Sequence, residues 1–350
     1  MSQPQLGING FGRIGRLSFR VWWLFHKDSV DLVAINTSGS MELEDWIHLV
    51  KYDTCFGLFN EPIKVTRHQS KKDISDNDPV LGTIQIGDKK ITVMAQRDPA
   101  KLPWEKLGVE TVIESTGVFR TADTASAHLK AGAKSVILSA PGKGGVNMNV
   151  IGVNDLDMEN GLISNASCTT NCVAPVAKIM HQAFGVEKAH LTTIHSYTAD
   201  QNLLDNSHKK DLRRARAAAQ NMVPTSTGAA KATTQIIPDL KDKFDGLSVR
   251  VPTPTGSLSD MVFLLKKDVT KEEVNEAFVK ASKEANWQGI LAVTDEPIVS
   301  SDIVGRSESS IVDLSLTSVV GGNLVKVISW YDNEWGYCHR LLEQVIAVSK

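Results

Sequence analysis

The sequence predicts a two-domain α/β protein: a doubly wound parallel sheet, followed by an α+β domain built on a mostly antiparallel sheet. Three observations carry this expectation. Over roughly the first 150 residues, short β-rich runs alternate with helix-like segments, the pattern of parallel strands joined by crossover helices. Beyond that point the strands lengthen and alternate apolar with polar residues, as in a sheet with one covered face. A chain of 350 residues with 42% hydrophobic and 22% charged side chains also exceeds what one core usually organises.

Taken in order, QLGIN, DLVAIN, KKITVMA, ETVIEST and KSVILSA read as strands, with RIGRLSFRVWWLF and TADTASAHLKAG as helices among them. CTTNCVAPVAKIMHQAF has helical periodicity, and HLTTIHSY, SVRVPTP, DMVFLLKK and LVKVISWYD read as the strands of the second domain. Between them, roughly Thr198 to Thr227, lies a long irregular stretch; such a loop in a compact domain is usually functional or a subunit contact. The end of the chain, from Trp335 to Lys350, reads as a terminal helix.

Composition narrows the function. A formal net charge of -2 gives no reason to expect nucleic acid or an anionic membrane as the main partner. No apolar run approaches the length of a membrane span, and MSQPQLGING lacks the regions of a signal peptide, so a cytoplasmic location is expected. Four cysteines fit a reduced compartment, and no paired Cys or His spacing suggests a metal site.

The first chemical signal is GINGFGRIGR. Gly10, Gly12 and Gly15 form G-x-G-x-x-G after a strand and at the start of a helix, where glycines let the backbone approach a pyrophosphate. The acidic residue expected at the end of the next strand is missing: DLVAIN runs into Thr37 and Ser38. The second signal is SNASCTTNC, which puts Cys168 at or near a helix N-terminus, where orphan amides favour a thiolate. Ser167, Thr169 and Thr170 add hydroxyls, and Cys172, one turn later, reads as packing. The third is His195 in LTTIHSYTADQ, a strand histidine able to act as a base. His26, His128 and His181 read as ordinary helix residues, and His208 as a solvated charge among lysines.

SNASCTTNCVAP, LTTIHSYTADQ, LRRARAAAQNMVPTSTGAAKA, SVRVPTP and SWYDNEWGY, with NGFGRIGR, closely resemble phosphorylating glyceraldehyde-3-phosphate dehydrogenase, in the same order along essentially the whole chain. The resemblance implies a Rossmann-type domain over residues 1–167, completed by a C-terminal helix at 334–350, and a catalytic domain over 168–333. It implies Cys168 as nucleophile and His195 as base, working through a hemithioacetal and a thioester with hydride transfer to NAD or NADP. A substrate phosphate site falls on Thr198 and Arg250, and an inorganic phosphate site on Ser167, Thr227, Gly228 and Arg214, with Thr169 beside them. Cofactor contacts fall on Gly10, Gly12, the Arg13 and Ile14 amides, Gly15, Arg97, Ser139 and Asn333. The family also implies a homotetramer. The pattern departs from NAD-specific members at Thr37 and Ser38, whose hydroxyls can donate to a 2′-phosphate, and at Ser207, which matches NADP-using relatives; dual or NADP specificity is therefore expected. Erythrose-4-phosphate dehydrogenase and a non-catalytic binding role are the alternatives.

Overall fold

The computed structural model describes residues 3–350, which form two compact units. One takes the chain through Asn149, then Leu156–Ala166 and Cys338–Lys350; the other takes Val150–Asp155 and Ser167–Tyr337.

The first unit runs β1 (Gln5–Asn9), α1 (Arg13–Val21), β2 (Asp31–Asn36), α2 (Leu43–Lys51), the short pair β3 (Tyr52–Asp53) and β4 (Gly57–Leu58), β5 (Ile63–Arg67), β6 (Val80–Ile86), β7 (Lys89–Met94), β8 (Thr111–Glu114), α3 (Ala122–Lys130), β9 (Ser135–Leu138) and β10 (Leu162–Ser164). Its eight-stranded sheet has the order β10-β9-β8-β1-β2-β7-β6-β5. All pairs from β10 to β7 are parallel, and β6 and β5 add an antiparallel edge. Leu6, Ile8, Ala34, Ile35, Val112 and Ile113 are fully buried, as a sheet covered on both faces requires. The strands β5 and β6 are absent from the sequence prediction, although Gly87-Asp88 between alternating runs is a two-residue hairpin signal, realised with Gly87 at φ 55°. The helix predicted over RIGRLSFRVWWLF changes at Trp22 into a five-residue π turn ending at His26.

Register converges polar residues at the strand ends. Asn9 lies opposite Asn36 on one side and Glu114 on the other. Asn36 Nδ2 donates to Asn9 Oδ1 at 2.7 Å, and Asn9 Nδ2 donates to Glu114. Trp104 Nε1 donates to His128 Nδ1 at 3.0 Å, so Nε2 carries the proton and donates to Glu114 at 3.1 Å. His128 therefore anchors a buried network beneath the glycine loop, a role its position in a helix did not reveal.

The second unit runs α4 (Cys168–Phe184), β11 (Val186–Ser196), β12 (Val223–Ser226), α5 (Ala229–Ile236), β13 (Phe244–Val251), β14 (Ser257–Leu265), α6 (Lys271–Ala281), β15 (Leu291–Thr294), β16 (Ser310–Val320), β17 (Leu324–Tyr331) and the start of α7 (Trp335–Val348). The seven strands are ordered β12-β13-β11-β14-β17-β16-β15. Most pairs are antiparallel; β11 with β13 and β15 with β16 are parallel. In β14 burial alternates residue by residue, the signature of one covered face. The irregular stretch expected up to Thr227 ends earlier, because Val223–Ser226 pairs with β13 as an edge strand, where Pro224 is tolerated.

Candidate active site

In the first unit each glycine of the loop has a separate job. Gly10 has φ +96°, and a Cβ there would stand 2.7 Å from Thr116 N. A Cβ on Gly15 would collide with the Gly10 carbonyl oxygen, so the helix can lie this close to the loop only without a side chain. Gly12 caps α1 with no side-chain hydrogen bond, and a Cβ there would meet nothing within 4 Å. The open space lies where helix amides await an anion, which fits a pyrophosphate. Arg13 and Ile14 open α1 beside it; the Arg13 guanidinium is paired with Asp53, leaving the backbone as its contribution to the loop.

At the end of β2 the Thr37 hydroxyl is buried and donates to Met94 O at 3.0 Å. Its proton is committed to the sheet, so the expectation that it donates to a 2′-phosphate is not met. Ser38 is exposed, with its hydroxyl 2.9 Å from that of Ser40, while Lys71 Nζ donates to Ser40 O at 2.7 Å. Arg97 is exposed next to Gln96, which clasps Asn36 through two hydrogen bonds of 2.8 Å. Ser139 follows β9, its amide donating to Glu114 O.

In the second unit, the Ser167 hydroxyl accepts from Thr170 N at 3.0 Å and so caps α4, making Cys168 the first helical residue. Ala166, just before, has φ 53°, a strained conformation for a residue with a side chain. Cys168 Sγ lies 3.5 Å from His195 Nε2. His195 Nδ1 is 2.7 Å from Ser196 O, a carbonyl that only accepts, so Nδ1 carries the proton and Nε2 presents its lone pair to sulfur. Burial, then the Arg250 charge, hold the imidazole down, to about 3. Burial pushes the Cys168 thiol up, against the pull of Arg250. Both shifts favour a neutral thiol facing a neutral imidazole, in opposition to the helix N-terminus, which favours the thiolate expected from the sequence. Burial also pushes up Cys172, to about 11, and its sulfur lies 3.5 Å from the Ser329 hydroxyl: an inert packed thiol.

Strand register sets His195 opposite Arg250. Arg250 Nη1 donates to Thr198 Oγ1 at 2.8 Å and approaches Ser196 O at 3.3 Å. Its Nε is buried without a hydrogen-bond partner among the described residues, an unused donor in a cationic group. Thr198 donates to Asp200, which also pairs with Arg214. Burial opposes ionisation of Asp200, but the Thr198 hydroxyl and the Arg250 and Arg214 charges hold its carboxyl below the usual range. Arg214 is fixed to β12, donating from Nε to Thr225 Oγ1 at 3.0 Å and from Nη2 to Ser226 O at 3.2 Å. Thr227 and Gly228 follow at the N-terminus of α5. Ser207 is exposed on the long loop, and His208 organises that loop, its Nδ1 accepting from Asp211 N at 2.9 Å.

Asn333 Oδ1 accepts from Ser257 Oγ at 2.8 Å and Gly256 N at 3.2 Å, and Ser257 Oγ in turn accepts from Ser196 N. The carbonyl side of the amide is thereby used, and Nδ2 is left as the donor. Sequence reasoning passed over Tyr331, although it stands in the quoted SWYDNEWGY. Its hydroxyl bridges Thr169 (2.9 Å) and Thr193 (3.0 Å), and its ring packs edge-on against His195 at 6.0 Å. Inward alternation along β17 was the signal for it.

A glycine-loop dinucleotide unit and a second unit with a paired thiol and imidazole define the class of two-domain, cysteine-dependent dehydrogenases. Residues 4–122 match the family model for the glyceraldehyde 3-phosphate dehydrogenase NAD binding domain, and residues 167–333 the model for its C-terminal domain. The chain is 48% identical over 347 residues to glyceraldehyde-3-phosphate dehydrogenase of Borreliella burgdorferi, covering 97% of this chain and 98% of that one. It is 48% identical to the Streptomyces coelicolor enzyme, covering 98% of each chain, and 47% identical to chloroplastic GAPA1 of Arabidopsis thaliana, covering 97% of this chain and 82% of that one. This chain belongs to the glyceraldehyde-3-phosphate dehydrogenase family.

Proposed function

We propose that the protein catalyses the reversible oxidative phosphorylation of D-glyceraldehyde 3-phosphate to 1,3-bisphosphoglycerate. The observation that carries this reading is the Cys168–His195 contact with the unsatisfied Arg250 donor beside it: a nucleophile, its base and an anion anchor. Cys168 sulfur adds to the aldehyde carbon while its proton passes to His195 Nε2 and on to the aldehyde oxygen, giving a hemithioacetal. Bound oxidised nicotinamide dinucleotide supplies the acceptor for the hydride. His195 takes the hydroxyl proton as the hydride leaves, and a thioester forms on Cys168. Inorganic phosphate then attacks the thioester carbon, the C–S bond breaks, and the sulfur leaves as thiolate to be reprotonated.

Arg250 and Thr198 hold the substrate phosphate, while Ser167, Arg214, Thr227 and Gly228 hold the attacking phosphate; guanidinium forks suit both. Asn333 Nδ2 holds the nicotinamide carboxamide. Initial rates with glyceraldehyde 3-phosphate and erythrose 4-phosphate, with and without inorganic phosphate, test this reading: preference for the triose and dependence on phosphate support it, and their absence refutes it.

Within the same proposal the enzyme accepts NADP at least as efficiently as NAD. Support comes from the missing carboxylate after β2, the exposed Ser38 hydroxyl and the Lys71 ammonium on the neighbouring loop. Ser38→Asp should raise the KM for NADP by more than about tenfold while changing that for NAD little. A kcat/KM far higher for NAD in the unmodified enzyme contradicts the preference and leaves the reaction untouched. A cytoplasmic homotetramer completes the proposal; the exposed Leu203 (77%), Leu204 (74%), Leu212 (83%) and Met222 (76%) of the long loop are apolar surface of the kind a subunit contact covers.

A further inference from the structure

Three metal-ligating side chains of the first unit converge from the two ends of the chain. His26 closes the π turn after α1, and such turns often mark functional positions. His339 and Glu343 stand four residues apart on α7, on one helix face. One ligand atom from each of the three residues lies within 4.8 Å of the other two. The two imidazole rings are 5.6 Å apart and inclined at 68°, and Phe25 packs on His339 at 4.8 Å. His26 Nε2 is buried with no hydrogen-bond partner among the described residues. Glu343 Oε1 accepts from Arg340.

We infer that His26, His339 and Glu343 form a binding site for a divalent transition-metal ion, Zn²⁺ being the best fit. Two imidazole nitrogens and one carboxylate oxygen are the protein ligands of three-ligand zinc sites, with water in the fourth position. Bonds of about 2 Å require the three donors to close by a fraction of their present separation, which a π turn and a helix surface can supply. Arg340 both orients Glu343 and competes with the ion for it, so affinity is modest and binding reversible. The ion links the N-terminal segment to the C-terminal helix within the same unit, and its effect is on stability, outside the reaction. The sequence alone suggests no metal, because His26 and His339 stand at opposite ends of the chain.

The active-site thiol and imidazole can also ligate zinc, so the test uses the full chain carrying Cys168→Ser. Equilibrium dialysis against Zn²⁺, compared among this protein and versions that add His26→Gln or Glu343→Gln, should show affinity falling at least about tenfold in each. Zn²⁺ should raise the unfolding temperature of the Cys168→Ser protein and not of the other two. Both variants sit at half-buried positions, Glu343→Gln is isosteric, and dialysis reads affinity apart from any loss of stability. Unchanged Zn²⁺ affinity in either variant overturns the inference.

Discussion

The dinucleotide loop and the catalytic cluster are built on opposite principles. The loop works by the absence of side chains: one glycine for a positive φ, one for open space, one for helix contact. All three lie within six residues, so spacing alone announces them. The cluster works through side chains brought together from Ser167–Cys168, His195–Asp200, Arg214, Thr225–Gly228, Arg250 and Tyr331–Asn333. No local pattern holds them together; β11, β13 and β17 do. Backbone sites are therefore legible from short motifs, whereas side-chain sites become legible only once register is known or a family is resembled.

Substitutions on the two sides test that contrast, the largest expected effect first. Cys168→Ser removes the one atom the chemistry cannot replace, and turnover should fall by more than about a thousandfold while cofactor binding in the first unit persists. A variant retaining a tenth of the activity would assign the nucleophile elsewhere. His195→Asn should lower turnover by about 10²- to 10⁴-fold, the range for a lost general base. Arg250→Leu should raise the KM for the phosphorylated aldehyde by roughly ten- to a hundredfold, and Arg214→Leu should act on the KM for inorganic phosphate. Equal defects in both would merge the two anion pockets into one.

On the loop side, the two glycines should separate. Gly15→Ala meets a backbone carbonyl and should both lower the unfolding temperature and abolish dinucleotide binding. Gly12→Ala meets no protein atom, so stability should stay within about 1 kcal/mol while dinucleotide affinity drops several-fold. If Gly12→Ala bound cofactor normally, the open space would not be where the pyrophosphate lies.

The sequence disclosed the doubly wound sheet through its apolar runs, and the second sheet through alternation. It did not disclose β5, whose exposed edge residues dilute the pattern, its buried neighbour β6, or β12, hidden in a loop rich in Pro and Thr. Cys168, His195 and the arginines were readable as residues, but their electrostatics were not. A helix N-terminus and the Arg250 charge argue for a thiolate; burial of the thiol opposes them, and burial together with Arg250 disfavours the imidazolium. A thiol pushed up is less ionised at neutral pH than an ordinary cysteine. Iodoacetamide alkylation of the ligand-free enzyme should therefore keep rising with pH above 8, with no plateau on the acid side. A plateau between about pH 6 and 7 would restore the thiolate–imidazolium pair. Tyr331 was missed for a different reason: an aromatic in a strand reads as core, and only its two threonine partners reveal a polar function.

The most direct test of the account is a single-turnover reaction with glyceraldehyde 3-phosphate and oxidised cofactor, with inorganic phosphate left out. A stoichiometric burst of reduced cofactor, arrest, and a 3-phosphoglyceroyl adduct on the peptide containing Cys168 by mass spectrometry are expected, the adduct being discharged as acyl phosphate when phosphate is added. Sustained turnover without phosphate, or an adduct on any residue other than Cys168, would contradict it.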